Sequence, residues 1–334
     1  MARKRIIYQS ESVAVDGTTC IGVQSCSYGL DVTREDVLQF GDLGAVDRII
    51  LEAPSASMEV SMYVNGLAGT RLNEIIAKGV SGTPIDCLVS LAREGADFGF
   101  TGSENEIGGV KIVSGSLTSF SAEASVGAIP TMTLGFEGTD LTYGSGAEYN
   151  AESPSGLINV ATQSGVVVDF SQVSGMVQHY LHPQSCSISF DLGVEGLQEL
   201  AVKKPGGTIA GNENKFQYAR VPSYPATASF ELEAFAVDRG MSMSLADLQQ
   251  KGSDNSGNIG QANSGGKCNV GVDMGGTTFS LINSTLDSVS FSSAIGDTAA
   301  TASATFSVSI GSPDSPSKLE IGGNVGPSGT GVGV

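Results

Sequence analysis

The feature that most constrains this chain is that it repeats itself: Gln24-Ser25-Cys26-Ser27 recurs as Gln184-Ser185-Cys186-Ser187. Each copy leads into an alternating segment, Tyr28-Gly29-Leu30-Asp31-Val32 in the first and Ile188-Ser189-Phe190-Asp191-Leu192 in the second. Later matches keep the same order. Ala56-Ser57-Met58-Glu59-Val60 corresponds to Ala228-Ser229-Phe230-Glu231-Leu232, each opening a strand with period-2 alternation. Residues 72 to 79 correspond to residues 245 to 252, and both read as a short helix (72 to 78, 245 to 251) stopped by Lys then Gly. A cysteine-bearing strand follows in each half, so Cys87 pairs with Cys268 as Cys26 pairs with Cys186. Two alternating strands then close each half, at 110 to 124 and 130 to 137, and at 279 to 293 and 301 to 310. Ser116-Leu117-Thr118-Ser119-Phe120-Ser121 against Thr285-Leu286-Asp287-Ser288-Val289-Ser290 is the clearest late match. An ordered series of this kind predicts a tandem duplication.

The expected fold is therefore all-β with one short helix per domain, two copies of a β-sandwich or barrel. Glycine supports it, at 45 of 334 residues, about twice the usual ~7%; with abundant Ser and Thr it favours strands joined by tight turns. The expected boundaries are 1–145 for the first domain, 146–164 for a Gly/Ser/Pro-rich linker, 165–311 for the second domain and 312–334 for a flexible Gly/Ser/Pro tail. The halves differ where loops fall: residues 41 to 48 are replaced by a longer polar stretch carrying Lys203, Lys204 and Lys215, and the stretch after the second helix grows to 252–266.

Charge narrows the partners. Seventeen Lys and Arg against 35 Asp and Glu give a net charge of −18, so a chain like this is poorly suited to gripping nucleic acid by its phosphates. Only 16% of residues are charged and 40% are hydrophobic, which is a folded acidic protein rather than a disordered polyelectrolyte. The longest apolar runs, such as Val166-Val167-Val168, fall far short of the roughly 20 residues of a membrane-spanning helix. Arg3-Lys4-Arg5 is followed by only three apolar residues, so no secretory signal is expected and the chain reads as cytosolic.

Chemistry is sparse. The two histidines, His179 and His182, lack the further ligands a metal site needs and read as polar residues leading into a strand. The five cysteines form no CxxC pair and read as reduced, buried small hydrophobes. Gly265-Gly266 and Gly275-Gly276 lack the Lys-Ser/Thr of a phosphate loop, and no GxSxG is present. Asp254-Asn255-Ser256-Gly257-Asn258 places its glycine wrongly for a calcium loop and lacks the closing Glu. The expectation is a protein that is not an enzyme and needs no cofactor or metal.

Taken together, the strand from 24 to 32, the strand from 56 to 64 followed by the helix at 72 to 78, and the paired long strands closing each half resemble the tail tube proteins of long-tailed bacteriophages. That resemblance covers nearly all of residues 10 to 311. It implies a structural virion protein whose rings stack into a tail tube, the inward hairpins joining into one barrel around the channel through which the genome is ejected. With two fused tube domains per chain, three chains supply a pseudo-sixfold ring, a homotrimer. The implied partners are the chain itself, other tail proteins, and DNA passing without specific binding; no membrane is implied. The implied location is the virion tail, assembled in the host cytoplasm. Candidate lumen-facing acids are Glu59, Glu123, Glu137, Glu231, Glu233 and Asp287, on the long alternating strands, and Lys203, Lys204 and Lys215 are candidates for a loop between rings. The alternative is a self-associating β-rich virion decoration, fibre or adhesive surface protein, against which stand the absence of Trp and the 6% aromatic content.

Overall fold

The computed structural model describes residues 11–50, 54–92, 106–145, 147–149, 151, 158, 160–169, 182–197, 219–235, 268–292, 300–310 and 318–322. Among them the chain forms seventeen strands and one α-helix, and every strand pairing is antiparallel. Alternation dictates how these strands are used. In β6 (Ser55–Tyr63) Ala56, Met58, Val60 and Met62 are buried while Ser57 and Glu59 face out. In β16 (Thr301–Ile310) the even positions are buried and Ser303 and Ser309 are exposed. Both strands thus give one apolar face to the core and one face of Ser, Thr or Glu to water.

The central layer is one run of eight strands. Its first four are β3 (Val23–Asp31), β6, β9 (Thr131–Gly138) and the second half of β8 (Glu106–Ser125). Its last four are β12 (Pro183–Leu197), β13 (Ala219–Phe235), β16 and the second half of β15 (Thr278–Ser292), and β8 pairs with β12 to join the two sets. The first half of β8 instead pairs with β7 (Ile85–Ala92) and β10 (Asp140–Gly144), and β7 continues to β1 (Glu11–Val15) and β2 (Thr18–Thr19). The first half of β15 likewise pairs with β14 (Cys268–Met274) and β17 (Lys318–Gly322), and β14 continues to β11 (Val166–Asp169). Both long strands turn between layers at a residue in the left-handed region, Ser114 (φ 52) in β8 and Asn283 (φ 55) in β15. The layers meet through aromatic side chains: Phe120 of the central run packs on Phe279 of the flanking set with ring centroids 5.7 Å apart.

Most of the pairing scheme of residues 11–144 recurs among the described residues of 166–322, the β1–β2 pair having no counterpart there. Cys26 lies opposite Val60 and Val60 opposite Leu134; Cys186 lies opposite Leu232 and Leu232 opposite Ala304. Irregularities recur too, a bulge between Leu117 and Ser119 in β8 and between Leu286 and Ser288 in β15. One expected correspondence is shifted. Ile85 is opposite Gly115 and Cys87 opposite Ile112, whereas Cys268 is opposite Ser284 and Val270 opposite Leu281, so Cys268 takes the place of Ile85 and Val270 that of Cys87. A slip of two residues keeps every side chain on its face, which is why alternation alone set these cysteines against each other.

The stretch expected to be a tail from 312 contributes β17, which pairs with β15 as β10 pairs with β8 and buries Leu319 and Ile321. Backbone partners on β15 and two apolar side chains bind this part of the Gly/Ser/Pro stretch to the sheet.

The helix α1 (Gly69–Ser81) buries Leu72, Ile75, Ile76, Gly79 and Val80, the one-sided spacing of an amphipathic helix. It runs past the expected stop at Gly79. The left-handed residue is Gly82 (φ 70), whose N–H donates to the Gly79 carbonyl at 3.0 Å while the Thr83 N–H donates to that of Lys78 at 2.9 Å. Gly79 serves packing instead: a Cβ there would stand 2.8 Å from Leu117 Cβ on β8. Gly79→Ala should therefore lower stability by about 1–3 kcal/mol by forcing helix and strand apart, outweighing the ~1 kcal/mol that alanine gains in helix propensity. Urea denaturation measures it, and a more stable variant would show that the helix can ride outward freely. The corresponding helix expected at 245 to 251 lies outside the described residues.

Candidate functional site

Eight strands with one polar face make a surface whose composition is set by alternation, and the middle of that surface is concave. A hollow of about 800 Å³ is lined by Glu123 and Ser125 of β8, Ser185 and Ser187 of β12, Glu231 and Glu233 of β13, and hydroxyl side chains of β16 and β15. Among the described residues no Lys or Arg lines it. Register explains the grouping. Ser187 sits between Glu123 on one side and Glu231 on the other, Glu231 is next opposite Thr305, and Thr131 flanks Glu123.

Hydroxyls hold the carboxylates and each other. Ser185 Oγ donates to Glu233 Oε2 at 3.3 Å and Thr131 Oγ1 to Glu123 Oε1 at 3.4 Å, and the Ser189–Ser229 and Ser290–Ser303 hydroxyl pairs are each 2.7 Å apart. The result is a hydroxyl-rich anionic surface. Chemically such a surface repels polyanions.

The remaining candidate acids sit elsewhere. Glu59, exposed on β6, occupies in the first half the position of Glu231 in the second, opposite Ser27 and Gly135. Glu137 accepts from Ser55 Oγ at 2.9 Å and is ion-paired at 3.1 Å with Arg220, whose side chain is only 10% exposed, so its charge is compensated. Asp287 lies at the bulge of β15, where it accepts from Thr285 Oγ1 at 3.4 Å. Lys203, Lys204 and Lys215 lie outside the described residues, as does His179.

A second surface escaped the sequence reading, which took residues 41 to 48 as a plain loop. Beyond β3 the chain rises into a separate two-stranded arm, β4 (Arg34–Val37) and β5 (Asp47–Ile50), braced by Arg48 Nε on Asp36 Oδ1 at 2.6 Å. Its tip exposes Leu38, Phe40, Leu43 and Val46. The signal was present in those four apolar residues, but their spacing fits neither strand nor helix period.

Burial keeps the four described thiols in the protonated form. Burial pushes Cys20 and Cys26 up to about 12 and Cys186 up to about 11, and burial also raises Cys87 well above its ordinary value. Because only thiolate attacks, alkylation of these four by iodoacetamide at pH 8 should run at least ~100-fold slower in the folded chain than in urea, read by peptide mapping. Equal rates would mean that the core opens readily around them. Among the described residues no group of three or more His, Cys, Asp or Glu could hold a metal ion, and no helix is long and apolar enough to cross a membrane. No protein-family model and no curated protein sequence matches the chain.

Proposed function

We propose that this protein is the subunit of a phage-type tail tube, two fused tube domains per chain, three chains closing into a pseudo-sixfold ring, and rings stacking into a conduit for DNA. The observation that carries the reading is the concave wall of hydroxyls and carboxylates, which among the described residues carries no cation. A channel for a polyanion needs a surface that is wetted yet does not bind phosphate; lysine or arginine there would hold DNA, which carries one charge per ~1.7 Å of duplex. The recurrence of one pairing scheme along the chain supports a duplicated domain, and a duplicated domain turns three chains into six similar wall segments. The apolar tip of the β4–β5 arm fits end-to-end contact between rings better than solvent, since four exposed large apolar side chains on one tip are costly to leave wet. DNA, other tail proteins and further copies of the chain are the partners on this reading, and the virion tail is the location.

Electron microscopy of the concentrated purified chain tests it. Hollow tubes of uniform bore are the expected result. Discrete closed particles or isolated monomers at high concentration would turn the assignment toward a decoration or adhesive protein.

A further inference from the structure

Among the described residues the central run of strands ends in two unpaired edges. Among the described residues β3 pairs only with β6, and the second half of β15 only with β16. Natural sheet edges are blunted by Lys, Pro or short length to prevent pairing with another chain. Neither edge is. The nine residues of β3 and residues 285 to 292 of β15 contain no Lys, Arg or Pro.

These two edges correspond to strands already paired inside the chain. β3 matches β12 and the second half of β15 matches that of β8, since each pair shares its neighbours' registers and its bulge. Burial marks what is missing. Ile188 and Phe190 of β12, covered by β8, are 0% exposed, while Tyr28 and Leu30 at the same positions of β3 are 36% and 46% exposed.

From this we infer that the chain joins a second copy of itself head to tail, β15 of one pairing antiparallel with β3 of the next in the register of the internal β8–β12 junction. Within the chain Ser187 faces Glu123, Ser189 faces Ser121 and Asp191 faces Ser119. Carried to the edges, Ser27 faces Ser292 of the next copy, Gly29 faces Ser290 and Asp31 faces Ser288, while Leu30 and Val289 close the apolar side together. The contact is heterologous, so it makes a ring if the rotation closes and a filament if it does not. The junction rests on the registers; its closure into a ring of three rests on the tube reading.

The test is a register-specific cross-link in the full chain. Ser27→Cys with Ser292→Cys, oxidised at assembling concentration and separated without reductant, should give covalent multimers above the wild-type background. Ser27→Cys with Ser288→Cys should not, because a four-residue offset moves the thiols apart by ~13 Å along the strand and a disulfide needs Cα atoms within ~7 Å. A ladder ending at the trimer supports both the junction and the three-chain ring; a ladder continuing upward supports the junction and removes the ring. Cross-linking of the shifted pair alone, or no multimers from either pair, overturns the junction, and tubes seen by microscopy alongside that result would leave the tube reading standing. Independently, Leu30→Lys should weaken association at least tenfold in sedimentation with unchanged far-ultraviolet circular dichroism. Wild-type association by that variant would likewise overturn the junction.

Discussion

Replacing Phe120 with alanine should cost about 3–5 kcal/mol of stability, the range for removing a fully buried phenylalanine. Phe120 is 1% exposed and stands at the meeting of three groups of strands. It lies opposite Leu134 on β9 and opposite Phe190 on β12, across the seam between the two halves, and its ring packs on Phe279 of the flanking layer. Truncation leaves a cavity that backbone pairing on both sides of β8 prevents from collapsing. Domains are stable by only about 5–15 kcal/mol, so the variant should lose a large share of its margin. Urea unfolding at 25 °C measures the loss, and Phe279→Ala with the double variant measures coupling between the layers. A loss under about 1 kcal/mol would show that the seam is loosely packed and that the halves unfold separately.

If the proposed tube assignment holds, reversing the charge at Glu231 and Glu233 should leave assembly intact while slowing or stalling DNA passage. Both carboxylates stand on the polar side of β13 with Leu232 buried between them, so the core is untouched by lysine at these positions. Each replacement changes the hollow by two charges, and in the proposed ring every copy would carry both. Phosphates that met like charge then meet a ring of cations; each close contact is worth on the order of 1 kcal/mol in water, repeated at every stacked ring. The measurement is DNA ejection from particles carrying the variant, with tube integrity checked by microscopy. Unchanged ejection through intact tubes would place these residues outside the channel.

What the sequence determined alone was much of what depends on neighbours along the chain, though not the β4–β5 arm, whose apolar residues fit neither period. Alternation located β6, β8, β9, β15 and β16 to within a few residues, and it put Glu231 and Glu233 on one face. The match of 72 to 79 with 245 to 252 and its Lys-Gly stop located most of α1, and the Gln-Ser-Cys-Ser repeat aligned β3 with β12. These are local because period 2 and period 3.6 are properties of one strand or one helix turning its apolar side to the core.

Only the tertiary structure decided which strand lies beside which. Nothing in 106 to 125 says that its first half pairs with β7 and its second with β12, since both halves alternate alike and the change of layer turns on Ser114, a residue with no strong local preference for the left-handed region. The sequence placed the helix stop at Gly79, but Leu117 claims the space beside Gly79 and the left-handed cap falls at Gly82. Leu319 and Ile321 were too few to mark a strand within a Gly/Ser/Pro stretch until β15 offered them an edge. Nor could the sequence show that Glu123, Ser187 and Glu231 stand side by side, because a cross-strand row is made of residues far apart in the chain, and the pairing that aligns them is settled by burial of Phe120, Ile188 and Phe230 on the opposite face.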